Sequence, residues 1–217
     1  MLALLKKDIF TLKRNCAVYV GIMMLFYIAF GIFNDNFAMY HFFFILITLM
    51  LPVTAMSFDE KCRWDLYGMS MPISRRAAVL SKYLLTGISA VFGIFFGTLV
   101  MAISALMHGE PLSIGLLAQP LAFALFSVLI ADFALPIMFH FGTEKGRLAM
   151  VLIIWGIALV PYAAQKFAGI DVMSVLEGAF AGLGFGVFLL MLAAAAVVAT
   201  LVSSQLSITV YQRKELH

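Results

Sequence analysis

The sequence predicts an all-α integral membrane protein with six transmembrane helices, and three observations support that prediction. Hydrophobic residues form 64% of the 217 residues and charged residues only 12%, whereas about a quarter of the residues in a soluble domain are charged. Apolar stretches close to the ~18–20 residues that cross a hydrocarbon core recur along the whole chain. Short polar segments separate these stretches. We therefore expect residues 1–217 to form a single transmembrane domain with very little mass outside the membrane.

The N-terminal residues have an amphipathic pattern that differs from the apolar stretches after them. Four apolar residues recur at helical spacing, with four basic residues on the other side: Leu2, Leu5, Ile9 and Leu12 against Lys6, Lys7, Lys13 and Arg14. This pattern predicts an interfacial helix over residues 1–15 that lies in the headgroup layer. A basic flank that only sets the orientation of the first span explains the same residues equally well.

Six spans are expected from the apolar stretches, in the order in which they occur along the chain. They lie at residues 16–33, 37–56, 83–107, 114–139, 148–164 and 179–203. Only the fourth span contains a residue that is charged at neutral pH, which is Asp132.

The distribution of lysine and arginine predicts the orientation of these spans. All but one of the 14 basic residues fall before the first span, between spans two and three, between spans four and five, or after span six. Lys166 is the exception. Cytoplasmic segments of membrane proteins are enriched in lysine and arginine. Both termini, residues 57–82 and residues 140–147 are therefore expected to be cytoplasmic.

The segment 57–76, between the second and third spans, concentrates the charge of the chain. It holds seven charged residues: Asp59, Glu60, Lys61, Arg63, Asp65, Arg75 and Arg76. A solvated connector is the ordinary explanation of such a charge run. Phe58 and Trp64 argue against it, because a solvated loop has no use for large apolar side chains. We expect this segment to be a surface to which another protein attaches.

Capping residues in the same segment predict a short cytoplasmic helix across the ends of spans two and three. Ser57 or Asp59 could cap its start, because a side-chain oxygen there satisfies free backbone N–H groups. Gly68 and Pro72 would end it, and Ser74 could cap the helix that becomes the third span.

Sequence signals for catalysis are missing. The pattern G-x-x-x-x-G-K-[ST], whose backbone cradles nucleotide phosphates, does not occur. The two cysteines, Cys16 and Cys62, provide neither a disulfide framework nor metal-ligand spacing, and the four histidines are scattered. The chain is expected to bind no metal or cofactor of its own and not to be an enzyme, so any energy must come from a partner.

Asp132 is the most unusual single residue. It lies about seven residues, or ~10 Å of helix rise, from the inner end of the fourth span. An ionisable group at that depth is a candidate for a functional site. The alternative, which we favour, is structural: Asp132 is protonated or hydrogen-bonded to a neighbouring span beside the helix break at Pro136.

Two passages on the cytoplasmic side resemble a known family. Residues 69–85 read MSMPISRRAAVLSKYLL and residues 135–147 read LPIMFHFGTEKGR. Both are similar to passages in the small six-span permease subunits of ABC-2 type ATP-binding cassette exporters, which include the membrane subunits of phenol-soluble-modulin-type peptide exporters. His140 is a small departure, because a basic residue is more usual at that position.

The resemblance implies a mechanism and a set of site residues. The segment 57–76 would be a coupling helix that docks on a separate ABC ATPase, which binds ATP and Mg²⁺. Its contact residues would be Phe58, Asp59, Glu60, Lys61, Arg63 and Trp64, and the second cytoplasmic loop would add Glu144, Lys145 and Arg147. Two permease subunits, identical or sister chains, would move amphipathic peptides or hydrophobic compounds out through a bacterial cytoplasmic membrane. Besides these partners and membrane lipid, no nucleic acid is expected.

Two alternative functions fit parts of the sequence. One is an ion-coupled carrier or channel that uses Asp132 as a proton site, although no relay partner and no inverted repeat are evident. The other is a non-transporting membrane protein that senses a toxic peptide or gives immunity to it. Neither alternative needs the large polar segment at residues 57–82.

Overall fold

The computed structural model describes residues 2–33, 37–64, 68, 74–109, 114–168 and 184–213. This part of the chain forms six long helices and no strand. The helices are α1 (Leu2–Phe33), α2 (Phe37–Lys61), α3 (Arg75–His108), α4 (Ile114–Phe141), α5 (Thr143–Ala168) and α6 (Phe185–Arg213). The predicted all-α class is therefore confirmed.

Three of these helices are long and apolar enough to cross a membrane, judged by length and composition among the described residues. They are the helical segments Arg75–His108, Ala118–Phe141 and Gly186–Arg213. An apolar helix of this length suits a bilayer because all its backbone hydrogen bonds are made within the segment. Large apolar side chains such as Leu106, Leu152 and Leu190 are exposed on the outer faces of α3, α5 and α6, as expected of surfaces that face lipid.

Helix α4 lies at the centre of the bundle. It packs against α2, α3, α5 and α6, whereas α1 packs against α2 and α3. The main core consists of apolar side chains that α2, α3, α4 and α6 direct toward one another, with one from α5. Its buried members are Leu49, Val53, Met56, Val79, Tyr83, Ile130, Ala131, Ala134, Leu135, Met138, Phe139, Met150, Ile208 and Tyr211.

The prediction of a separate interfacial helix over residues 1–15 is wrong. Helix α1 is continuous over 32 residues, or ~48 Å at 1.5 Å per residue, and includes both the predicted helix and the first span. Leu4, Asp8 and Leu12 recur every four residues and are buried, so this face packs against the rest of the protein. Ile9, predicted on the apolar face, is 43% exposed. Tertiary packing on α2 and α3 therefore extends the helix.

The prediction that a new helix starts at Ser57 or Asp59 is also wrong. Both residues lie on α2, which continues without a break to Lys61. The helical path is interrupted at Arg63, whose φ of 48° is in the left-handed region, and Trp64 and Gly68 are helical again. Much of the predicted coupling helix, at residues 65–67 and 69–73, lies outside the described residues.

The start of α3 confirms one prediction. Ser74 is the N-cap residue, and its hydroxyl oxygen accepts a hydrogen bond of 3.2 Å from the backbone N–H of Ala77. At the other end of the chain, α6 continues past the predicted end at residue 203 to Arg213. Residues 169–183, where the sixth span was predicted to begin, lie outside the described part.

Candidate functional site

The ends of all six helices meet at one end of the bundle, which we call the basic end. Side-chain contacts there join the start of α1 to the end of α2, the start of α3 to the end of α6, and the end of α2 to the start of α5. The end of α4 is also there, because only Gly142 separates it from α5. Successive helices therefore run in alternating directions.

Four charged side chains form a neutral cluster at the basic end: Lys7 and Asp8 of α1, Asp59 of α2 and Lys82 of α3. Lys82 Nζ lies 2.8 Å from Asp8 Oδ2 and 2.6 Å from Asp59 Oδ2. Lys7 Nζ lies 2.5 Å from Asp59 Oδ1 and 3.0 Å from Asp8 Oδ1. This four-charge cluster ties three helices together.

Because the four-charge cluster is largely buried, its ion pairs are important for the stability of the protein. The side chains of Asp8 and Lys82 are only 2% and 8% exposed. Removing one partner of such a buried pair is costly because it leaves an uncompensated charge in the protein interior. The cluster was not predicted from the sequence, which marked Asp59 as a possible helix cap and docking residue and did not single out Asp8.

Trp64, which follows the turn at the end of α2, extends this arrangement. Lys7 Nζ lies 4.4 Å from the centre of the Trp64 ring, a cation–π contact. The side chain is half-buried, so this aromatic residue of the charge-rich segment packs against α1. Phe58, six residues earlier, packs against the buried cluster of Leu12, Ala55 and Leu85.

Glu60 joins the end of α2 to the start of α5. Its Oε2 accepts a hydrogen bond of 2.8 Å from the backbone N–H of Thr143 and a second, very short one from the Thr143 hydroxyl. A carboxylate at a helix N-terminus satisfies a free N–H group and interacts favourably with the helix dipole. The two charge-bearing passages of the sequence are therefore in direct contact.

Two glycines make the connection between α4 and α5 possible. Gly142 has a φ of 89°, and a Cβ atom there would lie 2.9 Å from Glu60 Oε1. A Cβ atom at Gly146 would lie 2.1 Å from Met138 Cγ and 3.0 Å from Met138 Cα. The glycine spacing in FGTEKGR thus permits a one-residue link and a close helix crossing.

Two arginines complete the basic end. Arg147 of α5 donates a hydrogen bond of 2.5 Å to the Ser57 hydroxyl on α2. Arg75 donates to the backbone carbonyls of Tyr211 and Gln212, at 3.2 and 2.7 Å. These carbonyls end α6, where a cation is favourable because the last carbonyls have no helical partner.

The structure divides the predicted docking residues into two groups. Phe58, Asp59, Glu60 and Trp64 make the contacts within the protein that are described above. Lys61, Arg63, Glu144, Lys145 and Arg147 have exposed side chains, and Arg147 also reaches Ser57.

Asp132 lies elsewhere, inside the bundle on α4, and is 3% exposed. Its Oδ2 is 2.7 Å from the Thr200 hydroxyl on α6. Its Oδ1 has no hydrogen-bond partner among the described residues. The backbone carbonyl of Asp132 accepts a hydrogen bond of 2.5 Å from the Ser203 hydroxyl.

Tyr83 of α3 extends this polar region toward the basic end. Its hydroxyl lies 2.6 Å from Ser203 Oγ and 2.7 Å from Ser207 Oγ, and all three residues are buried. We call Tyr83, Asp132, Thr200, Ser203 and Ser207 the buried hydroxyl network. Asp132 was predicted from the sequence, but its partners on α6 were not.

Metal ligation has no support in the described residues, where no group of three His, Cys, Asp or Glu side chains could hold an ion.

Comparison with known proteins identifies the family. The chain matches none of the curated proteins and none of the solved structures. A family model described as ABC-2 family transporter protein matches residues 3–212, nearly the whole chain. The chain therefore belongs to the ABC-2 family of transporter proteins, as a multi-pass membrane permease subunit that works with an ABC ATPase and is not itself the ATPase.

Proposed function

We propose that the chain is the transmembrane permease subunit of an ATP-binding cassette exporter. It moves amphipathic peptides or hydrophobic compounds out of a bacterial cell across the cytoplasmic membrane. A separate ATPase subunit binds ATP and Mg²⁺ and hydrolyses the nucleotide. Two permease subunits, identical or sister chains, form the transport unit, and the basic end with both termini faces the cytoplasm.

One observation supports this proposal most strongly: the two charge-bearing passages form a single surface. Because Glu60 bonds to Thr143, the exposed residues that follow them, Lys61 and Glu144, belong to two segments in direct contact. We call the exposed residues Lys61, Cys62, Arg63, Glu144 and Lys145 the docking surface. Basic side chains outnumber acidic ones on this surface, so it suits a partner whose facing surface is acidic.

The contacts behind the docking surface support a role in coupling. Trp64 contacts Lys7 of α1, Asp59 pairs with Lys82 of α3, and Glu60 holds the start of α5. A displacement of the end of α2, together with Trp64, would therefore act on α1, α3 and α5 at once. Movement of packed elements as a unit is how domain closure produces a change of access in a transporter.

We propose different roles for the two groups of docking residues. Lys61 and Arg63, with Glu144 and Lys145, would contact the ATPase directly. Phe58, Asp59, Glu60 and Trp64 would hold that surface in place and pass its movement to α1, α3 and α5.

Reversal of the charges on the docking surface tests the proposal. The tagged chain is co-expressed with its ABC ATPase and purified in mild detergent, and the ratio of ATPase to permease is measured. Lys61→Glu with Arg63→Glu should weaken docking by about 2 kcal/mol or more, which is about thirtyfold. The ATPase should then be lost on purification while the permease stays folded.

A matched control uses Lys13→Glu with Arg14→Glu, which makes the same charge change at exposed positions on α1. These residues are outside the docking surface, so the control should retain the ATPase. Retention by the Lys61/Arg63 variant, or equal loss in both variants, would contradict the proposed docking surface.

A further inference from the structure

Asp8 and Asp132 are both buried carboxyl groups, but their surroundings are opposite in character. Asp8 contacts two lysines, whereas Asp132 contacts only hydroxyl groups and forms no ion pair in the described part of the chain. We infer that Asp132 is a positioning residue that acts as a neutral carboxylic acid, donating a hydrogen bond to Thr200 and holding α6 against α4 beside Pro136.

The number of hydroxyl protons fixes the direction of hydrogen bonding in the network. Ser203 has one O–H group and donates it to the Asp132 carbonyl. Tyr83 must then donate to Ser203, because Ser203 has no second proton. Ser207 must donate to Tyr83 for the same reason. All three protons are therefore used, and none of these groups can donate to the side chain of Asp132.

The contacts of Thr200 indicate the protonation state of Asp132. Its Oγ1 lies 2.8 Å from the Ala196 carbonyl oxygen and 2.7 Å from Asp132 Oδ2. One hydroxyl proton can make only one full hydrogen bond. If Oδ2 of Asp132 carries a proton, Asp132 donates to Thr200 and Thr200 donates to Ala196, so both contacts are hydrogen bonds. If Asp132 is ionised, one of them brings two acceptors together.

The cost of burying a charge also favours a protonated, neutral Asp132. An ionised carboxylate in a low-dielectric interior is strongly disfavoured unless it is paired or fully hydrogen-bonded. Oδ1 has no partner among the described residues, and the other oxygen has only Thr200. A neutral acid leaves one carbonyl-like oxygen unpaired, which costs far less than an unpaired charge.

A neutral Asp132 suits the contact between α4 and α6. Thr200 and Ser203 are on α6 and both contact Asp132 on α4, one at its side chain and one at its backbone. Hydrogen bonds between neutral groups can be broken and remade without leaving a charge in the apolar interior. The inference does not depend on the ATPase contact proposed above.

Infrared spectroscopy of the purified full chain in lipid nanodiscs at neutral pH tests this protonation state. The difference spectrum between the wild type and Asp132→Asn should show the loss of a C=O stretching band of a protonated carboxylic acid. Asp8→Asn is the matched control and should remove only carboxylate bands. Loss of carboxylate bands alone in Asp132→Asn would overturn the inference.

Two further variants test the hydrogen bond itself. Thr200→Val keeps the shape but removes the acceptor, so the acid band should persist and move to higher frequency. An unmoved band would show that Asp132 does not donate to Thr200. Asp132→Asn retains a donor and should keep the melting temperature, whereas Asp132→Leu should lower it by about 2–4 °C. Equal destabilisation by Asn and Leu would also overturn the inference.

Discussion

The hydroxyl group of Ser203 donates a hydrogen bond to the backbone carbonyl of Asp132, the carbonyl that Pro136 leaves without a helical partner. In a regular α-helix this carbonyl would bond to the N–H four residues later, and proline has no N–H. A side chain of α6 therefore supplies the hydrogen bond that is missing from α4. This explains how α4 includes a proline near its end and remains helical to Phe141.

This relationship predicts a specific non-additive effect. Ser203→Ala should leave the Asp132 carbonyl unsatisfied and cost about 1–3 kcal/mol of stability. Pro136→Ala restores the N–H, so the double variant should recover much of that loss. Thermal melting of the purified wild type, both single variants and the double variant gives the coupling energy. Strictly additive effects would mean that the carbonyl is not what Ser203 stabilises.

The four-charge cluster predicts that replacing Lys82 causes a large loss of stability. Lys82→Met should destabilise the protein by about 3–5 kcal/mol, because it removes a cation shared by Asp8 and Asp59. Adding Asp8→Asn should restore part of the stability, because the remaining Lys7 and Asp59 can still pair. Denaturation of the single and double variants in the same detergent measures both values. A double variant less stable than Lys82→Met would contradict this account of the cluster.

The helix crossing at Gly146 predicts a steric effect. Gly146→Ala should cost about 1–3 kcal/mol, because the added methyl group would collide with both the side chain and the backbone of Met138. Gly156→Ala on the same helix is the matched control, since nothing lies within 4 Å of a Cβ atom there. The control should be neutral or stabilising because alanine favours helix. Similar melting temperatures for the two variants would show that the crossing is looser than the structure indicates.

The proposed orientation predicts the accessibility of Cys62, which is a free, exposed cysteine at the basic end. In a Cys16→Ser background, a membrane-impermeant thiol reagent should leave Cys62 unlabelled in intact cells. The same reagent should label it in inside-out vesicles, which serve as the positive control. Labelling in intact cells would place the basic end outside and remove the basis for ATPase docking there.

The class of the fold and one helix start could be predicted from the sequence because both depend on local signals. Long apolar stretches predict helices, and Ser74 caps α3 through a hydrogen bond to a residue three positions away. The continuity of α1 could not be predicted in this way. It depends on the burial of Leu4, Asp8 and Leu12 against other helices, which the local amphipathic pattern does not reveal.

The candidate site could also be predicted only in part from the sequence. The sequence marks Asp132 as an unusual residue and Pro136 as a break, and together they imply a carbonyl that needs a donor. Nothing local identifies Ser203, 71 positions away along the chain, as that donor. Glu60 and Thr143 are likewise separated by 83 positions. The contacts of Asp59 and Glu60 with other helices could not be predicted either, because their partners are distant in the sequence.

The single residue between α4 and α5 has a mechanical consequence. Gly142 is the whole connection, Glu60 fills the space beside it, and Met138 of α4 packs against Gly146 in the first turn of α5. A force applied to the start of α5 is therefore transmitted directly to the end of α4. Beyond Pro136 that end is a rigid arm of ~8 Å, and Ser203 holds the backbone at its base. The link and the proline therefore bound a short helical segment that connects the interior of the bundle to the basic end.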